Sequence, residues 1–300
     1  MAGFTAVDLS QLPAPTVVEV LSYESIFAAL LASYVALTEA SGQTYTALVE
    51  SDPVYLLLQA AAYRELVWRQ RVNDAARAVM VAYAVGSDLD QLAAGFGVKR
   101  LQLDPGDPSH SIPPTMESDT DLRRRIILAP EGFSVAGPEG AYIYHALSAS
   151  GDVLDASATS PAPCEVVVSV LSRVGNGTAD AALVAAVAAV LGADNVRPLT
   201  DLVTVQSATV IEYTVEATIY TYAGPDSAVV LAASRARLDA YVEESHRLGR
   251  DVTMSGLYSV LHSPGVQRVE LTAPVADIVV DRTQAAYCTG ISILSGGVDE

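Results

Sequence analysis

The chain has 300 residues, 51% of them hydrophobic and only 17% charged, with a formal net charge of −18. That length accommodates two or three domains, and that apolar content excludes a disordered chain. Acids outnumber bases 17 to 9 in residues 1–150 and 18 to 8 in residues 151–300, so phosphate is repelled along the whole chain and nucleic acid is excluded as a partner.

The N-terminal segment MAGFTAVDLS has no basic stretch, so no secretory leader is read there. Residues 1–15 form an arm punctuated by Pro13 and Pro15. Residues 16–48 read as helical, with Ile26, Leu30, Tyr34 and Leu37 on one face and Gly42 as the breaker. The uncharged run Ser25 to Thr38 would span about 21 Å as a helix, short of a bilayer core of about 30 Å, so no membrane insertion is expected.

Ser51-Asp52-Pro53 is a helix start: an acceptor side chain followed by a proline whose fixed φ suits the first turn. The stretch from Pro53 to about Val85 is apolar nearly all round, through Leu56, Leu57, Leu58, Ala61, Ala62, Leu66, Val67, Trp68 and Val72. A helix apolar on every side has to be covered on every side, so part of the cover is assigned to other chains. Tyr55, Leu58, Ala62, Leu66 and Arg69 are its candidate interface residues. Ser87 is read as the cap of the next short helix, with Asp90 three residues on, close to a capping box. Asp88 and Asp90 are two residues apart and point in different directions on a helix, which argues against an acid/base pair.

Residues 101–117 hold four prolines and read as a loop and candidate domain boundary. A short helix opened by Ser118-Asp119 follows, carrying the Arg123-Arg124-Arg125 triplet. The triplet either pairs with acids of the same chain or meets an acidic partner subunit. Another helix runs from Glu139 to about Ser148. Then the period changes: Cys164–Leu171 is β-rich, Gly175-Asn176-Gly177 turns, and Thr178, read as a cap, opens a helix that Gly192 ends. Leu202–Val205 and Thr209–Tyr222 are strand-like. The second alternates Ile211, Tyr213, Val215, Ala217 and Ile219 with polar neighbours, giving one wet and one buried face. Helices over Asp226–His246 and Ser255–Leu261, and strands over Val266–Leu271 and Tyr287–Leu294, complete the chain.

The order of elements gives an α+β fold: a mostly helical N-terminal region, then two small α+β domains, each a sheet with helices on one face. The expected boundaries are 1–100 for the helical assembly region, 101–150 for a linker and helical connector, and 151–208 and 209–300 for the two α+β domains.

No chemistry stands out. His110, His145, His246 and His262 have no partners at metal-ligand spacing, and no cofactor is implied. Cys164 and Cys288 lie far apart in strand-like runs and read as buried thiols in a reducing compartment. The turn at residues 175–178 lacks the lysine and glycine spacing of a phosphate loop. A non-enzymatic structural subunit is the leading class. An unrecognised hydrolase and a soluble receptor-binding protein are the alternatives.

Several blocks carry a resemblance. Ser51-Asp52-Pro53 with the apolar helix after it, and EGFSVAGPEGAYIYHALSAS running on through VLDASATSPAPCEVVVSVLSRVGNGT, resemble the baseplate J-like wedge proteins of contractile bacteriophage tails and R-type tailocins. In that family an Ala-Gly-Pro/Ser element leads through Ala-Tyr into a helix, then a strand pair with a Pro-x-x-Val-x-Val pattern. Here these are Ala136, Gly137, Pro138, Ala141, Tyr142, Pro163, Val166 and Val168. Cys164 departs from the pattern, since many relatives have Gly after the proline. The resemblance covers roughly residues 50–300 and implies a wedge subunit of a virion or tailocin baseplate, put together in the bacterial host cytoplasm. Two copies would join a smaller wedge protein, other baseplate and hub proteins would be further partners, and six wedges would ring the hub. No cofactor and no active site are implied. Ile291 is the candidate contact residue of the second α+β domain.

Overall fold

The computed structural model describes residue 9 and residues 19–43, 49–224 and 226–299. The arm expected over residues 1–15 falls outside these apart from residue 9, as do residues 16–18 and 44–48 of the first expected helix. The chain divides into two compact units, Val7–Lys99 and one that runs Arg100–Glu300.

The first unit is built on helices. In α1 (Tyr23–Ala40) the Ser22 hydroxyl accepts from the Ser25 amide, and the helix ends before Gly42 at φ 77°. In α2 (Pro53–Ala78) the Asp52 carboxylate accepts from the Val54 amide at 2.9 Å, with Pro53 in the first turn. This helix stops at Ala78; residues 79–83 are turns and a bend and 84–85 are irregular, so the expected extension to Val85 is too long. Short α3 (Gly86–Gly95) starts two residues earlier than a cap at Ser87 would place it. Val85 is at the cap position with no side-chain cap, and Ser87 lies inside the first turn. Gly86, at φ 54°, makes the turn that a capping side chain would otherwise stabilise.

In the second unit the expected loop 101–117 is partly ordered as a small antiparallel ladder of β1 (Gln102–Asp104) and β2 (Thr115–Met116). Gly106 is required there, because a Cβ would sit 2.4 Å from the Ile112 carbonyl oxygen. Ser118 caps α4 (Asp119–Leu128) by accepting from the Asp121 amide. Then α5 (Glu139–Ala149) leads into the first sheet.

That sheet has the order β3-β4-β5, with β3 (Val153–Thr159) antiparallel to β4 (Glu165–Ser172) and β4 parallel to β5 (Leu202–Ser207). The parallel step needs a crossover, supplied by α6 (Ala181–Leu191). Asp180, not Thr178, caps α6: its carboxylate accepts from the Leu183 amide at 2.7 Å. Val168, Val170, Val187, Leu191 and Ala146 form a core between the sheet and α5 and α6. The period-based reading of β-α-β lacked β3, which the strand pair of the resemblance supplies.

The second sheet has the order β7-β6-β8. Long β6 (Thr209–Thr221) is central, antiparallel to β7 (Val266–Ala273) and parallel to β8 (Gln284–Val298). Helices α7 (Ser227–Ser245) and α8 (Met254–Leu261) pack on it around Val215, Ile219, Leu238, Leu257 and Leu261. The alternation read in β6 holds: Tyr213, Val215, Ala217 and Ile219 are buried while Glu212, Thr214 and Glu216 are exposed.

Candidate assembly surfaces

The inner seam between α1 and α2 is made of few contacts. Ile26 is buried, the Phe27 and Tyr55 rings meet edge to face at 4.9 Å, and Ala62 is fully enclosed. Buried Asn73 exchanges two hydrogen bonds with the Glu19 backbone, at 2.9 and 3.0 Å. Of the expected interface residues on α2, Ala62 is enclosed here; Tyr55, Leu58 and Leu66 are half-buried; and Arg69 is exposed, paired with Glu65 at 2.7 Å and Glu19 at 3.1 Å.

The rest of α2 is uncovered. Leu56, Leu57, Tyr63, Val67, Trp68 and Val72 are all large, apolar and exposed, Leu57 by 68% and the chain's single tryptophan by 58%. Only Ala62 and Asn73 are buried in this 26-residue helix. An amphipathic helix turns polar groups to water; this one turns apolar groups outward as well.

In the second unit, β8 pairs with β6 alone among the named strands and so forms an edge of its sheet. Its start is covered: the Gly249 amide donates to the Gln284 carbonyl, and His246 contacts the Ala286 carbonyl at 2.7 Å. Ile291 is half-buried against the second core, and its carbonyl accepts from Arg235. Farther along, Leu294 and Val298 are exposed. No residue from Thr283 to Val298 carries a charge, although charge is a common means of blocking an edge.

Much of the charge in the second unit is used internally. Arg125 meets Glu117 at 2.5 Å with both side chains buried. Arg124 meets buried Asp155 at 2.6 Å, and Asp155 also accepts from the Leu248 and Ala156 amides. Arg173 and Arg247 converge on Asp121 at 3.0 and 4.0 Å. Burial pushes the Glu117 carboxyl above its ordinary pKa, while Arg125 and the Leu101 amide pull it back. Burial also lowers Arg247, against the nearby Asp155 and Asp121. The arginine triplet thus puts two of its members onto acids of its own chain.

Two of the histidines are held by partners nearby in the chain. His110 pairs with Asp107 at 2.5 Å, and His145 contacts the Gly132 carbonyl at 3.2 Å, with burial holding its pKa below the ordinary value. Cys288 is half-buried and burial raises its thiol pKa. Cys164 is exposed, contrary to the reading of a buried thiol: it precedes β4 in the turn, at φ 65°. Among the described residues no group of three or more His, Cys, Asp or Glu side chains could hold a metal ion. No described helix is long and apolar enough to cross a membrane. A groove of about 710 Å³ lies between α4, α7 and β8, but its charged lining includes Asp121 and Arg173, already paired.

Comparison with known sequences gives three matches in chain order: the baseplate J-like N-terminal domain over residues 50–107, the central domain over 134–207 and the C-terminal domain over 213–294. Baseplate protein J of Escherichia phage P2 is 53% identical over 302 residues, covering 98% of this chain and 99% of that protein. Among solved structures, a chain in the cryo-EM structure of the anti-feeding prophage baseplate, six-fold symmetrised, is 16% identical. It aligns over 59% of this chain and 43% of that one, with a TM-score of 0.39.

Proposed function

We propose that this chain, which belongs to the baseplate J-like family and is a structural baseplate protein, acts as a wedge subunit. In this reading two copies join a smaller wedge protein, and six wedges ring the hub. The subunit performs no bond chemistry and works by shape, pivoting as rigid pieces, with residues 101–117 as the pivot. The helical unit supplies contacts within the wedge. Residues 209–300, with α7 and β8 foremost, supply contacts around the ring, where the free part of β8 offers an edge.

The observation that carries the reading is the uncovered apolar face of α2. Exposed apolar residues scattered singly are ordinary on a soluble protein, but six on one helix form a patch that marks an interaction site. The test is the mass of the purified chain in solution, alone and mixed with candidate wedge partners. Self-association, or a stable complex with a partner, is expected. A monomer that stays monodisperse at high concentration and ignores every partner refutes it. For the ring contact, Ile291→Asp should leave wedges intact and stop ring closure, with circular dichroism showing that the domain remains folded. Closed rings from folded mutant wedges would move the contact elsewhere.

A further inference from the structure

The matched central domain ends at residue 207 and the C-terminal domain begins at 213. Neighbouring domains swing on their linker unless the contact between them is large and apolar. Here there is no linker. Strand β5 ends at Ser207, β6 begins at Thr209, and the one residue between them, Ala208, is buried. The Ala208 amide donates to the Val170 carbonyl of β4 at 2.8 Å, and the next amide, that of Thr209, donates to the Thr283 carbonyl just ahead of β8 at 3.0 Å. The backbone thus passes from one sheet to the other with successive amides bonded to each.

The junction has a core and polar ties of its own. Ala208, Leu171 and Ala285 cluster, with Leu154 and Leu248 packed against them, so both sheets contribute to one apolar contact. Buried Asp155 of β3 accepts from the amide of Leu248, in the segment after α7, at 3.0 Å, while Arg124 holds its other oxygen. Ser157 donates to the Arg282 carbonyl at 2.5 Å, and the Arg282 guanidinium reaches back to Glu139 and to the Ala158 carbonyl. A Cβ on Gly177 would lie 2.8 Å from Nε2 of His246, so the turn before α6 is fitted to the end of α7. A carboxylate inside a strand is costly to desolvate, and apolar contacts alone allow two surfaces to slide. Asp155 bonds to a single amide across the joint and so admits one alignment of the two sheets.

We propose that this joint is locked, so that the central and C-terminal domains travel as one body when the baseplate changes shape, with Asp155 as the positioning residue that sets their alignment. The inference rests on the proposed function's claim that the chain pivots as rigid pieces, and it names one of them: a force applied to the second sheet by a neighbour moves the first sheet with it.

The test uses the full chain with paired nitroxide labels and pulsed dipolar spectroscopy, in a background where Cys164 and Cys288 are replaced by alanine. One pair, Ala185→Cys in α6 with Ala236→Cys in α7, spans the joint; a second, Ala94→Cys in α3 with Ala185→Cys, spans the two units, and all three positions are exposed. Across the joint a single narrow distance distribution is expected, the same in the isolated chain and in assembled baseplates before and after their change of shape. A broad distribution, or one that shifts between the two states, overturns the lock. The second pair should shift. If it stays fixed, the pivot of the proposed function fails, and the lock is decided by the isolated chain, where a narrow distribution across the joint supports it and a broad one refutes it. In Asp155→Asn, with circular dichroism showing the fold retained, the Leu248 amide should exchange its hydrogen about tenfold faster or more and the distribution across the joint should broaden, since a hydrogen bond to a charged acceptor is lost. Unchanged exchange and an unchanged distribution overturn the role of Asp155. Where that variant fails to fold, Arg282→Met, at a side chain 34% exposed, should broaden the same distribution, and no broadening there overturns the role of the polar ties.

Discussion

Helix α2 and helix α5 show two ways of using apolar residues. In the 11-residue α5, Gly140, Ala141, Tyr142, Ile143, Ala146 and Leu147 are buried against elements of the same unit. In the 26-residue α2 only two residues are buried, and its tryptophan, tyrosine and most of its leucines and valines meet water or lie half-covered. The presence of apolar side chains does not explain this, since both helices carry Ala, Leu and two Tyr. The number of neighbouring elements does: α5 packs against both a sheet and α6, whereas α2 has α1 on one side. The second unit completes its cores within the chain, and the helical unit leaves one incomplete. A folding surface and an assembly surface can thus be told apart by whether the chain itself supplies the second layer.

Substitutions should separate the two uses. The largest effect is expected from Arg125→Ala, which leaves buried Glu117 without its cation. Breaking such a pair costs about 3–5 kcal/mol, read as a fall in the urea midpoint of the second unit. Leu257→Ala, at a fully enclosed position, should cost about 2–5 kcal/mol through lost burial and a cavity. Trp68→Ala should change the urea midpoint by no more than about 0.5 kcal/mol while abolishing association. If Trp68→Ala costs as much as Leu257→Ala in the isolated chain, α2 is a folding surface and the contrast fails.

A smaller effect comes from pH. Burial holds His145 below its ordinary pKa of about 6.5, so the unfolded chain takes up its proton first as pH falls. Its contribution to stability is present above pH 6.5 and is lost as pH falls toward the folded value. Glu117, raised by burial, gives the opposite slope just above pH 4.5, so the useful window lies above about pH 5.5. Denaturation midpoints between about pH 7.5 and 5.5 should decline less steeply in His145→Gln than in wild type. Equal slopes would mean that the His145 side chain is wet.

Much of the architecture was legible because local rules decided it. Asp52-Pro53, Ser118 and the β6 alternation each specify a backbone state through their own side chains, and each is found as read. The misreadings have local causes too. Asp180 outcompetes Thr178 as a cap because a charged acceptor is stronger and sits at the residue where the helix begins. Strand β3 escaped because Val153–Thr159, VLDASAT, is small-sided and lacks the β-branched run that marks its partner β4. On α2 the excess of apolar residues was visible, but its inner and outer faces were not. Tyr55, Leu58 and Ala62 look like Leu57, Ala61 and Trp68 until the position of α1 is known. The pairing of Arg124 with Asp155 across 31 residues likewise depends on the tertiary fold.

The smallest expected effect is at Cys164, and its sign is the informative part. The residue follows Pro163 in the turn before β4 and takes φ 65°, where a side chain crowds the following carbonyl by about 1–2 kcal/mol. It is exposed, so no packing offsets that strain. The glycine that the resemblance implies after the proline is what this φ value favours physically. Against the gain stands the greater freedom of glycine in the unfolded chain, worth about 0.5–1 kcal/mol. Cys164→Gly should therefore stabilise the second unit by a few tenths to about 1 kcal/mol, and Cys164→Ala should not. A urea midpoint that falls in the glycine variant would mean that the turn relaxes out of the left-handed region in solution. The first sheet would then begin with a different register than Leu202 pairing at Glu165.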